Sequence, residues 1–236
     1  MRILALDTAL AACSTVLWED GRIRARSYHE MARGQAEVLL PAVVRAMSEA
    51  GADFDGLDLI AATLGPGSFT GLRVGLAAAR GLALAARCPL VGVTTFEAVA
   101  EAIPATEAAG RSVLVAFDTR RRDLYIQLFL AGDAGGPNPM APAGPARVIA
   151  PAALAGVLPV GPVLLAGDGA GHALAAFGEA AGRFSVSSSP PRPDAAQVAV
   201  VAARRSRGEI PPLPALPIYL RPPAVKPAGL ARHPSR

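Results

Sequence analysis

The sequence predicts an α/β protein built on an open sheet, and three observations carry that reading. Over the first hundred residues, short apolar runs alternate with Ala-rich stretches of helical period in the order βββαβαβα. Several runs, "LDLIAATLG", "PLVGVTT" and "VLLAGDGAG" among them, are continuously apolar, as strands buried on both faces are. The two halves of the 236-residue chain also rhyme, one strand ending in Asp7-Thr8 and another in Asp118-Thr119.

Taken in order, "RILALDTA" and "CSTVLWEDGRIRARSYH" give three strands over residues 2–29, with Glu19-Asp20-Gly21 as a tight turn. Ala36, Leu39, Leu40, Val43, Val44 and Met47 then recur at helical spacing, and the helix ends near Gly51. Pro41 lies inside this pattern, so the helix either kinks there or starts in earnest beside it. A buried strand "LDLIAATLG" leads through the turn "LGPGSFTGLRVG" into a helix reaching about Ala86. The strand "PLVGVTT" and the helix "FEAVAEAI" close the first half near residue 103. The second half opens with two strands around a charged turn, "SVLVAFDTRRRDLYIQLFL". The Pro/Gly stretch 132–146 reads as a loop, and "VLLAGDGAG" as a strand entering a helix. A last helix, "DAAQVAVVAARRSRGE", has Asp194 as its N-cap. The Pro-rich segment 208–236 reads as extended. The expected division is 1–103 and 104–236.

Composition excludes a disordered or fibrous chain, since 52% of residues are hydrophobic and 18% charged. Lys226 is the single lysine among 23 basic residues, a bias that reports base composition more than mechanism. Residues 1–102 carry a net charge of −2 and residues 103–236 a net charge of +6, so the second half permits contact with nucleic acid. Cys13 and Cys88 stand alone with no leader ahead of "MRILALDTA", which points to reduced thiols and a cytoplasmic location. Residues 148–167 hold no charge over a bilayer-length span, but three prolines and two glycines break it, and no membrane segment is expected.

Asp7, at the end of the first strand, suits either a turn cap or a phosphate or metal-water site. The glycine-rich turn fails both phosphate fingerprints. Gly71 is followed by Leu72-Arg73 where a Walker A loop needs Lys-Ser/Thr, and Thr70 stands where a dinucleotide loop needs its third glycine. A tight strand-to-helix turn is the first reading. A candidate anion or nucleotide site remains, made of Asp7, Thr8, Gly65, Gly67, Ser68, Thr70 and Arg73, in which Ser68 or Thr70 caps the helix and leaves free N–H groups. Arg73 opposes the helix dipole and therefore wants an acid or an anion. The helix itself carries Arg73, Arg80 and Arg87 in one stripe, and is apolar or tiny elsewhere. That arc exceeds what one sheet face needs, and the helix at 36–50 is similarly wide, which favours an interface. No His or Cys spacing marks a metal site, no G-x-S-x-G elbow appears, and the run Arg120-Arg121-Arg122 reads as a solvated turn, with a tRNA or phosphate contact as the second reading.

In their order, "ILALDTALAACSTVLWEDG", "QAEVLLPAV", "LGPGSFTGLRVGLAAARGLA", "VGVTTFEAVA", "FDTRRRDLYIQLF", "AGDGA" and "YLRPP" resemble the TsaB (YeaZ) family, from residue 1 to about 223. The resemblance implies an actin/sugar-kinase-like (ASKHA) fold of two duplicated α/β lobes. It also implies a non-catalytic subunit that binds and activates a paralogue, TsaD, for threonylcarbamoyl transfer to the adenosine next to the anticodon of tRNA. TsaD-type proteins carry a metal-binding His-x-x-x-His at the start of the first long helix, where this chain has Gln35, Ala36 and Glu37. By the same resemblance, the heterodimer contact uses Leu39, Leu40, Val43, Val44 and Met47 of one helix and Leu72, Gly75, Leu76, Ala79, Leu82 and Ala83 of the other. A charge at Ala79 or Val43 should then block association and leave the fold intact. The ATPase TsaE joins the pair, tRNA is met through the complex, and ATP belongs to the complex, with no cofactor expected on this chain. Self-association of the isolated chain stays open. The competing reading is a stand-alone ASKHA phosphotransferase using ATP, with Asp7 as base.

Overall fold

The computed structural model describes residues 1–132 and 140–221. Strands β1 (Arg2–Asp7), β2 (Ala12–Glu19) and β3 (Arg22–Glu30) form the leading meander, whose turn places Asp20 and Gly21 at φ 46° and 88°. Helix α1 (Gln35–Glu49) follows, then β4 (Leu59–Thr63), α2 (Phe69–Ala86), β5 (Leu90–Val93) and α3 (Thr95–Glu101). Pro41 neither starts nor ends α1, which runs through it. The first sheet has the order β3-β2-β1-β4-β5, with β1, β4 and β5 parallel.

After the single-turn α4 (Ala105–Ala108) come β6 (Ser112–Asp118), β7 (Leu124–Ala131), β8 (Met140–Pro142), β9 (Arg147–Ile149), β10 (Val163–Ala166), α5 (Ala170–Ala175), β11 (Phe184–Val186) and α6 (Ala195–Ser206). The second sheet has the order β11-β10-β6-β7-β8, with β9 also on β7. Reading β6, β7, β8, β10 and β11 for β1 to β5 gives the order of the first sheet, so the rhyme between halves is a duplication of topology. The stretch 132–146 is not all loop: Met140–Pro142 pairs antiparallel with β7, and residues 133–139 lie outside the described ones. Of the Pro-rich segment, 208–221 is described and is irregular, and 222–236 lies outside. Residues 148–167 divide into a 3₁₀ turn, Pro151–Gly156, and the buried β10.

Side-chain alternation along the central strands sets the layers. Leu4 and Leu6 of β1 face α1 and α2, and Ile3 and Ala5 face α6. In β6, Val113, Val115 and Phe117 meet Phe96 and Val99 of α3, and Leu114 and Ala116 pack towards α5. The helices therefore do not follow the division of the strands at residue 103. Helix α6, from the second half, covers the first sheet, and α3, from the first half, covers the second. Thr94 and Glu97 form a capping box on α3, and Glu97 also pairs with Arg205 of α6 at 2.6 Å. Helix α2 is long and apolar enough to cross a membrane by length and composition alone. It lies on the sheet instead, with seven residues buried and Arg73, Arg80 and Arg87 exposed.

Candidate functional site

The glycine-rich turn is shaped by the chain's own backbone. Beyond β4, Gly65 takes φ 112°, and a Cβ there would lie 2.6 Å from the carbonyl oxygen of Ile218. A Cβ on Gly67 would fall 2.3 Å from the carbonyl of Ala9, one on Gly71 2.1 Å from the carbonyl of Thr8, and one on Gly75 2.4 Å from the Thr8 hydroxyl. Hydrogen bonds lock this contact. The Ser68 amide donates to the Ala9 carbonyl at 2.7 Å, and the Thr8 hydroxyl donates to the Gly71 carbonyl at 2.7 Å. Ser68 caps α2, its hydroxyl accepting from the Gly71 amide at 3.3 Å. Gly67, Gly71 and Gly75 thus let the turn seat against Thr8 and Ala9, and Gly65 lets it seat against Ile218.

Asp7 is fully buried at 0% exposure. Its Oδ1 accepts from the Thr63 hydroxyl at 2.7 Å and the Ala9 amide at 3.2 Å, while Oδ2 has no protein partner. Burial pushes its pKa up to about 7 against the opposing pull of these hydrogen bonds. The enclosed carboxyl does not line the interlobe cleft. Thr70 is exposed. Among the described residues Arg73 pairs with no acid: its guanidinium lies 3.8 Å over the Phe69 ring, and its Nε points to the Tyr219 hydroxyl at 3.4 Å.

Between the lobes lies a cleft of about 480 Å³. Of the seven residues read from the sequence as an anion site, Gly67 and Ser68 reach it. Its other wall comes from the second lobe, with Asp118, Thr119, Arg120, Tyr125 and Asp168. The Asp118 carboxylate accepts from the Arg120 amide at 2.8 Å, and Asp168 accepts from the Asp118 amide at 3.0 Å. Burial raises the Asp168 pKa. Gly167 and Gly169 repeat the seating device, their Cβ positions falling 2.2 and 2.9 Å from the backbone of Ala116 and Phe117. The sequence signal for this wall is the Asp118-Thr119 echo of Asp7-Thr8, which marks a strand end without marking a site. Among the described residues no group of three His, Cys, Asp or Glu gathers as a metal would require.

On the other side of the first sheet, the structure divides the helix residues read as an interface. Leu39, Val43, Met47, Leu72, Gly75, Leu76, Ala79 and Ala83 are buried within this chain. They are the stripe that faces the sheet, and a partner cannot touch them without parting helix from sheet. Ala79 at 0% and Val43 at 1% exposure are core positions, so a charge at either unfolds the lobe rather than leaving it intact. The outward residues are Leu40 and Val44, one turn apart on α1 and 49% and 62% exposed, with Leu84 of α2 at 82%. Leu82 is half-buried. Leu84 was missed, though its place between Arg80 and Arg87 sets it on the exposed arginine side.

Two lobes of one topology, packed about a cleft, with a glycine turn seated on the first strand end, define an actin/sugar-kinase-like protein. A family model described as "TsaD: tRNA N6-adenosine threonylcarbamoyltransferase" matches residues 29–137. The solved structure of YeaZ from Pseudomonas aeruginosa superposes with a TM-score of 0.76 at 30% identity, covering 93% of this chain and 99% of that one. The chain belongs to the TsaB/YeaZ family. The tRNA threonylcarbamoyladenosine biosynthesis protein TsaB of Escherichia coli K12 is 40% identical over 125 residues, which are 53% of this chain and 53% of that protein. The match thus spans about half the length of the curated relatives. Component A of the (R)-2-hydroxyglutaryl-CoA dehydratase of Acidaminococcus fermentans shares the fold alone, at 12% identity and a TM-score of 0.50 over 88% of this chain and 99% of that one.

Proposed function

We propose that this chain is the non-catalytic subunit that binds and activates a TsaD paralogue for threonylcarbamoyl transfer to the adenosine next to the tRNA anticodon. The observation that carries the reading is the outward apolar pair of helices. Leu40 and Val44, one turn apart on α1, and Leu84 on α2 stand in solvent. The family matches support a TsaD paralogue as the partner of these helices. In this reading TsaE joins the pair, tRNA is met through the complex, ATP belongs to the complex with no cofactor on this chain, and the assembly is cytoplasmic. The phosphotransferase alternative is disfavoured by Asp7, which the fold seals away from the cleft.

The experiment is reconstitution of TsaD, TsaE and tRNA with and without this chain, beside the triple variant Leu40→Asp/Val44→Asp/Leu84→Asp. All three changes are on the surface, so the variant should fold. It should weaken TsaD binding at least about tenfold, as loss of hot-spot contacts does, and abolish the stimulation of tRNA modification. Unchanged TsaD affinity, or modification that does not depend on this chain, overturns the proposal. Calorimetry with ATP and Mg²⁺ on the lone chain tests the phosphotransferase, which requires binding there.

A further inference from the structure

We propose that the arginine turn between β6 and β7, with the aromatic hollow beside it, is the surface on which this chain holds unpaired nucleotides of its RNA. The inference rests on the proposed place in tRNA modification and assigns the RNA contact to particular residues. A single-stranded RNA needs cations for its phosphates and flat rings for its bases, and the two meet here.

The cations sit on a turn that is fixed before anything binds. Arg120 adopts φ 58°, its amide donating to the Asp118 carboxylate at 2.8 Å. The Thr119 hydroxyl donates to Asp123 at 2.7 Å, and Arg221 pairs with the same Asp123. Arg120, Arg121 and Arg122 are all exposed. Arg120 lies 3.9 Å from Asp118, while Arg121 and Arg122 join no ion pair among the described residues. The acids of the turn are thus committed to holding its shape or to Arg221, and two of its cations are left for a ligand. In sequence, the fifteen residues after Arg221 add Lys226, Arg232 and Arg236 and no acid.

The rings border a hollow of about 190 Å³ lined by Phe69, Tyr125, Tyr219 and Arg121. Phe69 and Tyr219 pack with centroids 5.3 Å apart, and Arg73 already lies over Phe69, a guanidinium on an aromatic face. This hollow shares Gly67, Thr119 and Tyr125 with the interlobe cleft, so a strand laid across the turn could pass a base into it. Phosphates call for the arginines and bases for the rings. An acidic peptide would use only the arginines.

The test measures binding of an anticodon stem-loop, and of a fully paired RNA of equal length, to the complex of this chain with TsaD by fluorescence anisotropy over a range of salt. Wild type should prefer the stem-loop. Arg121→Glu/Arg122→Glu should weaken binding about tenfold or more and reduce the slope of log K against log salt by about 1.4, two single-strand phosphate contacts. Tyr219→Ala, an exposed position, should weaken binding about 5- to 150-fold, the range for one lost base stack, with the slope unchanged. Wild-type affinity in both variants overturns the inference. So does equal binding of paired and looped RNA, or displacement by ATP at concentrations that leave RNA no tighter than a mononucleotide. TsaD affinity, measured on the same variants, separates the two proposals. If the complex forms and the variants bind RNA normally, this assignment fails alone; if no complex forms, the subunit reading fails with it.

Discussion

Gly71→Ala and Gly81→Ala add the same methyl group to the same helix, and stability should move in opposite directions. Glycine in an exposed helix interior is about 1 kcal/mol less favourable than alanine. At Gly81 an added Cβ meets nothing within 4 Å, so that variant should gain about 0.5–1 kcal/mol. At Gly71 the Cβ would lie 2.1 Å from the Thr8 carbonyl oxygen, closer than atoms pack in folded proteins. Either α2 moves off the sheet or the Thr8–Ala9 turn shifts. Overpacking of this kind costs about 1–3 kcal/mol, occasionally more, and stretching the hydrogen bond from Thr8 to Gly71 adds about 1 kcal/mol. Less the helix-propensity gain, the net loss is roughly 1–3 kcal/mol. At about 2–4 °C per kcal/mol for a chain of this size, calorimetry should show a Tm several degrees lower for Gly71→Ala and slightly higher for Gly81→Ala. A Gly71→Ala protein as stable as wild type would mean that the glycines are not required by packing, and would reopen the turn as a ligand cradle.

Asp7 should make the fold less stable as pH rises. Its folded pKa of about 7 stands above the ordinary aspartate value of 3.8, so the native state binds the extra proton, and stability falls from about pH 4 to pH 7 before levelling. Between pH 5 and pH 8 the loss is about 2–3 kcal/mol; urea titrations should show it in wild type and not in Asp7→Asn, and an identical pH slope in both would refute it. Arg205 is 7% exposed and joins three elements, bonding Glu97 at 2.6 Å, the Gly92 carbonyl at 2.6 Å and the Pro211 carbonyl at 2.8 Å. Arg205→Ala leaves Glu97 half-buried and held only by its capping bond to the Thr94 amide, and should cost about 1–3 kcal/mol by denaturation; a loss below about 0.5 kcal/mol would show the pair to be solvated.

The strands and long helices were legible because their signals are local. β4 and β10 are apolar on both faces because helices or the other lobe cover both, and Ser68 and Asp194 announce helix starts through side chains that bond the next turn. The exchange of α3 and α6 between the sheets was not legible, since an amphipathic helix states that it needs a sheet and not which one. The interface reading had the same limit. Composition showed that α1 and α2 carry more apolar surface than one sheet face uses, but Leu39 and Leu40 are neighbours in sequence and opposite in burial. Only the phase of the helix against β2 and β4 decides which of them a partner can reach.

Duplication also explains why the cleft is one-sided. Both lobes end a central strand in Asp-Thr, and both press a glycine turn against that end. In the first lobe, Thr8 is drawn under α2 by its bond to Gly71, Asp7 is capped by Thr63, and the carboxyl is closed off at 0% exposure. In the second, Thr119 bonds forward to Asp123 instead, the turn opens outward, and Asp118 and Arg120 remain at the cleft wall. Identical dipeptides therefore stand in opposite surroundings, because the next hydrogen bond runs into the core in one copy and along the surface in the other. A ligand entering the cleft meets chiefly second-lobe chemistry, while the first lobe presents its outward helices. Substitutions at Asp7 and at Arg121 should consequently separate, the first acting on stability and the second on binding; a variant of Asp7 that folded normally and yet lost RNA affinity would break that division.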